Sequence, residues 1–496
     1  MTLRSLAHRP WRSAMLFGGF GLGVGVMIVL LSIGEAMLAQ SKEEKLVGGG
    51  TITVLPEGID VEVMKTGGVG GLFLSIPNAR FIARQLLASP RLAGDVTASA
   101  PQIDGKLLYV RTLTGGADWI AVRGSGEIPS LTAAVGAMPT VSRGAWIDDA
   151  TDDSWRSPDL RRLYTDIDAL HYPPSALSAE EKKTWGEWHY FNVLSSDRKR
   201  WAFLTLLVGG DVPSGEWGGQ VLLTLHEQDG VVRTFTMNVP KTGVSLDSGR
   251  VDLALGASSV KLQDDGRYLV HAIATEERGG GKAVVDLVVS PVKNAYFPGA
   301  QLGGEGFVSG YAVAGLRANA SGTICVSGKC ETFDGAQSYH DHNWGVWRDV
   351  EWEWGASRAG DFTLLYGRVQ RTDSLSAEQP LFLYLVDSLG FRALFRPKTI
   401  AYDDARTVVV NGKAIRVPAK ATMIDVRGAD TLRVALDIED ASATDTRAAA
   451  SGGGSGPIRP KDRPYFIQMK GTAAVSGRLG GKPINGTGSG FFETYR

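Results

Sequence analysis

Excess charge, cysteine and long apolar runs are what this 496-residue chain has least of. Lysine and arginine number 52 against 53 aspartates and glutamates, for a formal net charge of −1. That balance excludes an electrostatic partner such as nucleic acid, and it offers no polybasic patch for a membrane surface. Cysteine occurs twice, as Cys325 and Cys330. With no third thiol and no histidine nearby in sequence, the pair is not expected to hold a metal. There is no G-x-S-x-G, which removes the serine-hydrolase elbow. Gly279-Gly280-Gly281-Lys282 lacks the upstream glycine and the following Ser/Thr of a phosphate loop, which removes an ATPase. Only one stretch, residues 14–34, is apolar and uncharged over the roughly 20 residues that a spanning helix needs.

What is present is length and strand texture. A chain this long exceeds one ordinary core, so two to four domains are expected. Arg4, Arg9 and Arg12 precede the apolar run, while Lys42, Glu43, Glu44 and Lys45 after it cancel. The positive-inside rule then puts the N-terminus in the cytoplasm and the rest outside, as a single-pass inner-membrane protein with periplasmic domains. Residues 140–180 gather aspartates and prolines with little periodicity and read as a connector. From Trp185 onward short alternating segments recur between turn residues, among them Val221–Leu225, Tyr268–Ile273, Ala283–Val289, Phe362–Val369, Thr431–Ile438 and Phe466–Ala474. So many short strands predict antiparallel barrels or sandwiches, and some 310 residues suggest two of them. Asn411-Gly412 predicts a two-residue hairpin. A Ser327-Gly328 turn would set Cys325 opposite Cys330, a separation that suits a disulfide.

Chemistry concentrates in Ser338-Tyr339-His340-Asp341-His342-Asn343-Trp344-Gly345, which holds two of the seven histidines. On a strand, His340 and His342 share one face and Asp341 takes the other. Either the histidines or the aspartate would then face a pocket, unless the backbone bulges. Plainer readings stand beside this one. Asp341 would satisfy turn amides or hold a histidine. Trp352 and Trp354 would be a strand's core face. Glu187 and Glu493 would pair with arginines. As a metal pair, His340 and His342 lack an evident third ligand, because His189, His226 and His271 are remote in sequence. No metal is therefore expected.

Two resemblances add to these readings. Residues 1–130, beginning LRSLAHRPWRSAMLFGGFGLGVGVMIVLLSIGEAMLAQ, resemble the N-terminal part of a MacB/FtsX-type ABC transporter permease, without its three further spanning helices. Gly186-Glu187-Trp188-His189-Tyr190-Phe191, the 339–345 motif, Trp352-Glu353-Trp354-Gly355 and Gly490-Phe491-Phe492-Glu493-Thr494-Tyr495 resemble the carotenoid 1,2-hydratase (hydroxyneurosporene synthase) and AttH-like family. His189 stands where that family usually has a second tryptophan. The second resemblance implies tandem lipocalin-like β-barrels and cofactor-free addition of water to a double bond of an apolar isoprenoid. It carries over Asp341, His340 and His342 as catalytic residues. Trp344, Tyr190, Trp188, Glu187, Trp352 and Trp354 follow as substrate-binding residues. The expected domains are a cytoplasmic 1–12, a spanning helix 13–36, a partial MacB-like domain 37–140, a linker 141–184, and lipocalin-like domains 185–337 and 338–496. Expected partners are a hydrophobic ligand and the membrane. An accessory role beside an ABC ATPase and a full-length permease, with a non-catalytic binding domain, is the alternative.

Overall fold

The structure is a computed structural model that describes residues 10–43, 52–55, 74–111, 120–140, 145–159, 162–171, 179, 181–277, 279–302, 309–347, 350–371, 380–445 and 463–496. It divides into two compact units, residues 1–75 with 96–157, and residues 76–95 with 158–496. The first unit holds helix α1 (Pro10–Glu43), an antiparallel hairpin of Gln102–Val110 with Ile120–Glu127, and two short helices. Asp149 caps the second of these, Ala150–Arg156, by accepting from the Thr151 and Asp152 amides. Residues 52–55 are irregular.

Among the described residues no helix is long and apolar enough to cross a membrane. That finding gives no support to the spanning helix expected over 13–36. This has no bearing on strands.

The second unit is mainly β. Eight strands of its 13-stranded first sheet form a ring: β1 (Trp185–Leu194), β2 (Trp201–Asp211), β3 (Glu216–His226), β4 (Val232–Pro240), β5 (Tyr268–Glu276), β6 (Lys282–Pro291), β7 (Ser309–Val326) and β8 (Ala336–Val346). Each pairs antiparallel with the next, and β8 pairs back onto β1, closing an up-and-down barrel of the lipocalin type. Alternation drives this. Val221, Leu223 and Leu225 of β3, and Ala283, Val285, Leu287 and Val289 of β6, all point into one core. Their neighbours along each strand face away. Cys325 and Cys330 pair in register across the hairpin beyond β7 and are disulfide-bonded.

The second sheet has nine strands: β9 (Val350–Ala359), β10 (Phe362–Arg371), β11 (Phe382–Asp387), β12 (Gly390–Phe395), β13 (Ala401–Asp403), β14 (Lys420–Arg427), β15 (Asp430–Asp445), β16 (Tyr465–Leu479) and β17 (Lys482–Tyr495). Their order is β12-β11-β10-β9-β17-β16-β15-β14-β13, a curled half-barrel whose end strands share no ladder among the described residues. Its two edges are tied instead by the Arg396 amide, which donates to Asp425 Oδ2 at 2.7 Å. Asn411 and Gly412 take positive φ in the hairpin between Arg406–Val410 and Lys413–Val417, as expected. The two expected barrels are thus one closed barrel and one open, curled sheet.

Three domain boundaries need correction. β8 was expected to open the second domain, but it completes the first barrel, because its backbone pairs with both β7 and β1. Residues 76–95 belong with the barrels rather than with an N-terminal domain. Helix α2 (Ile76–Leu87) sets Phe81 edge-on against Tyr296 and Phe391, and the following turn places Arg91 at 2.5 Å and 2.6 Å from the two Asp387 oxygens. The expected linker is also partly core. In helix α3 (Leu163–Asp168), Leu163, Tyr164 and Ile167 join Leu170 in the barrel core. Arg84 of α2 pairs with Asp166 of α3.

The ladder between β9 and β17 joins the two halves of the second sheet through four residue pairs. A Cβ at Gly488 would collide with the Arg358 carbonyl there. Gly488→Ala should lower stability by about 1–3 kcal/mol, read as a drop in the urea midpoint; an unchanged midpoint would contradict this packing.

Candidate functional site: two polar centres on one strand

β8 carries the motif, and its register with β1 sorts the side chains. Asp341 lies opposite Tyr190, His342 opposite His189, His340 opposite Phe191 and Trp344 opposite Glu187. Both strands are buried over most of their length, with the barrel interior on one face and the second sheet on the other. His340, His342, Glu187 and His189 have interior side chains with no exposure. Tyr339, Asp341 and Asn343 point the other way. The structure does not bring the expected catalytic trio together; it divides the histidines from the aspartate.

The interior centre collects four histidines and two carboxylates. Asp168, at the end of α3, accepts from the Tyr268 hydroxyl at 2.7 Å and lies 2.9 Å from His340 Nε2. His340 Nδ1 meets the Tyr190 carbonyl at 2.9 Å. His342 Nε2 is 2.8 Å from Glu187 Oε1, and its Nδ1 is 3.4 Å from Asp168 Oδ1. His189 stacks on His342 with ring centres 4.4 Å apart. Glu187 also accepts from the His171 amide at 2.7 Å, and His171 stacks on Trp344 at 4.0 Å. Burial alone would raise both carboxyls, but His340 at Asp168, and His171 and His342 at Glu187, outweigh it and hold both well below the usual range. Burial pushes His189 down to about 3, so it is neutral. Burial would lower His342 too, yet its bond to Glu187 leaves it raised. Two sets of ligand atoms, Asp168–His189–His340 and His171–Glu187–His342, are close enough to hold a metal ion.

The second centre lies between the sheets. Asp341 accepts from the Tyr339 hydroxyl at 2.6 Å and from Asn343 Nδ2 at 2.8 Å. Trp354 Nε1 donates to the Tyr339 oxygen at 2.8 Å. Glu493 on β17 accepts from Tyr190 at 3.0 Å and from Trp352 Nε1 at 3.0 Å. Burial pushes Asp341 up to about 6, partly offset by the Tyr339 hydrogen bond. Burial pushes Glu493 up to about 7; the Trp352 bond opposes this, and the neighbouring Asp341 charge reinforces it. Trp188, Asn343 and Trp352 are half-buried at the edge of this centre. A small cavity near the motif is lined by Asn192, Trp201, Gln337 and Phe491.

Of the expected substrate-binding residues, Tyr190, Trp352 and Trp354 converge on Asp341 and Glu493. Trp188 packs on Trp347 with ring centres 5.2 Å apart. Glu187 and Trp344 belong to the interior centre. The arginine partners expected for Glu187 and Glu493 are replaced by histidines in one case and by tyrosine and tryptophan donors in the other. Asp168 was missed, since it sits in the presumed linker. Its signal was the apolar spacing Leu163-Tyr164, Ile167, Leu170 around it. Glu493, part of the closing Gly490–Tyr495 motif and expected to pair with an arginine, instead faces Tyr190 and Trp352.

No protein-family model matches the chain, and no curated protein does. Among solved structures it is similar to an AttH-type protein of Nitrosomonas europaea, at 16% identity and a TM-score of 0.44 over 66% of this chain and 98% of that one. It is also similar to kievitone hydratase of Nectria haematococca, at 11% identity and 0.38 over 66% and 95%. CghA with Sch210972 follows at 13% and 0.40 over 63% and 89%. Likeness at this level leaves the chemistry of this chain to its own residues. These matches give no support to a MacB/FtsX-type permease at residues 1–130.

The raised carboxyls set a pH dependence. Folded Asp341 keeps a proton that an unfolded aspartate releases near its ordinary 3.8. Its stabilising contribution is therefore full below that value and is lost as pH rises through about 6. The stability of wild type relative to Asp341→Asn should fall between pH 4 and 7 by on the order of 3 kcal/mol. Urea midpoints of both proteins across that range check this; parallel curves would contradict the raised value.

Proposed function

We propose that the chain hydrates a carbon–carbon double bond of an apolar, isoprenoid- or lipid-like ligand, with Asp341 and Glu493 as the working pair. The observation that carries this reading is two fully buried carboxyl groups pushed up to about 6 and about 7 among Tyr190, Tyr339, Trp352 and Trp354. Between those values the pair holds one shared proton, so one member is an acid and the other a base at near-neutral pH. The acid gives its proton to the less substituted alkene carbon as the π bond breaks, leaving a tertiary cation. Indole and phenol faces stabilise that cation by about 2 kcal/mol or more where water is excluded. Water then forms the new C–O bond and its proton passes to the carboxylate, which restores one acid and one base. The alkene end reaches the pair past Trp188, Asn343 and Trp352, and side chains there move aside to admit it. On this reading His340 and His342 do not touch substrate.

The purified chain is incubated with a lycopene- or neurosporene-type polyene and the products are weighed by mass spectrometry. A product heavier by one water is expected from wild type and from neither Asp341→Asn nor Glu493→Gln. Tight binding without product in wild type would make the protein a carrier and overturn the hydratase reading.

We propose also that residues 14–34 attach the chain to a bilayer, where such ligands partition. In α1 Met15, Phe17, Phe20 and Leu22 are 67–77% exposed among the described residues, an apolar surface. Alkaline carbonate should leave the full chain in the membrane pellet; release to the supernatant contradicts attachment.

A further inference from the structure

The interior centre has more unmet bonding than its hydrogen bonds explain. Asp168 Oδ1, His342 Nδ1 and both ring nitrogens of His189 have no hydrogen-bond partner, although all three residues are fully buried. A buried polar atom left unpaired is unfavourable, so four in one place call for a common partner. The tautomers narrow what that partner is. His340 Nδ1 donates to the Tyr190 carbonyl, which leaves a lone pair on Nε2 aimed at the Asp168 carboxylate. His342 Nε2 faces Glu187, which turns Nδ1 toward the other Asp168 oxygen at 3.4 Å. Lone pairs facing a carboxylate need a positive charge between them. Protons at His340 Nε2 and His342 Nδ1 would serve the 2.9 Å and 3.4 Å contacts with Asp168 but would leave both ring nitrogens of His189 unmet.

We propose that Asp168, His189, His340 and His342 bind one divalent transition-metal ion of the zinc class in the interior of the closed barrel. The ligand set is three imidazoles and one carboxylate, all uncharged or anionic donors that suit a borderline cation. His340 Nε2 and His189 Nδ1 lie 2.9 Å and 3.9 Å from Asp168 Oδ2, and His342 Nδ1 lies 3.4 Å from Asp168 Oδ1. Tetrahedral bonds of about 2.1 Å place neighbouring ligand atoms roughly 3.4 Å apart, within that range. The bonds from His340 to the Tyr190 carbonyl and from His342 to Glu187 are the outer contacts that orient metal-binding imidazoles. His171, with 41% of its side chain exposed beside buried Glu187, offers a way in from solvent. Four protein ligands make the ion a structural one, which pins α3 to β1 and β8. The inference is independent of the hydratase reading, whose carboxyls face the other side of β8.

The full chain is stripped with EDTA, dialysed, and titrated with Zn²⁺ by calorimetry and with Co²⁺ by visible absorption. One ion per chain is expected, with the intense d–d bands of a tetrahedral cobalt site and a higher melting temperature. Glu187→Gln should weaken affinity by about 10–100-fold, while His271→Gln, an exposed pair with Asp286, should leave it unchanged. His189→Gln should abolish the cobalt bands. The inference is overturned if wild type gives no stoichiometric binding or only a weak octahedral spectrum, a result that stands whether or not the variants fold. It is also overturned if folded His189→Gln keeps the tetrahedral spectrum.

Discussion

The pairing of β8 with β1 is the constraint on which both polar centres depend. Side chains alternate strictly along a strand, so this one ladder decides which residues enter the barrel and which meet the second sheet. A slip of one residue would bury Asp341 among the histidines and turn His340 and His342 toward the indoles. The register runs unbroken from Gln337 opposite Leu194 to Val346 opposite Trp185. Ser338 reinforces it by donating to the Asn192 carbonyl at 2.9 Å.

The two centres treat buried carboxyls in opposite ways. Inside the barrel, imidazoles stand beside Asp168 and Glu187, so burial is outweighed and both stay ionised. Between the sheets, Asp341 and Glu493 have only phenol, amide and indole donors, and burial prevails. Charged carboxylates suit an ion, while protonatable ones suit proton transfer to an alkene. A few ångströms of strand thickness separate these roles because neighbouring residues on β8 face different surroundings.

Much of the fold was legible from period-two patterning. The alternating runs from Val221–Leu225 to Phe466–Ala474 lie in strands, and Asn411-Gly412 turns a hairpin. The facing cysteines are bonded. Alternation also split the motif correctly, but not which half faces the core, because both faces of β8 are buried. His189 was set aside as remote in sequence. Its closeness to His342 is a matter of ladder register, which a single sequence does not carry across 150 residues. The same alternation in Gly186–Phe191, with Glu187, His189 and Phe191 on one face, could have grouped it. Asp168 was hidden because a six-residue helix between prolines and aspartates looks like a connector until the barrel core receives it. The gap between β12 and β13 was not legible either, since strand content does not tell a closed barrel from a curled sheet.

The central claim is that Asp341 and Glu493 keep protons at pH values where ordinary carboxyls have lost them. A carbon-13 NMR titration of side-chain carboxyls, with Asp341→Asn and Glu493→Gln for assignment, tests it directly. The account predicts two coupled resonances titrating at about 6 and about 7. Ionisation of both groups at or below pH 4.5 would contradict it.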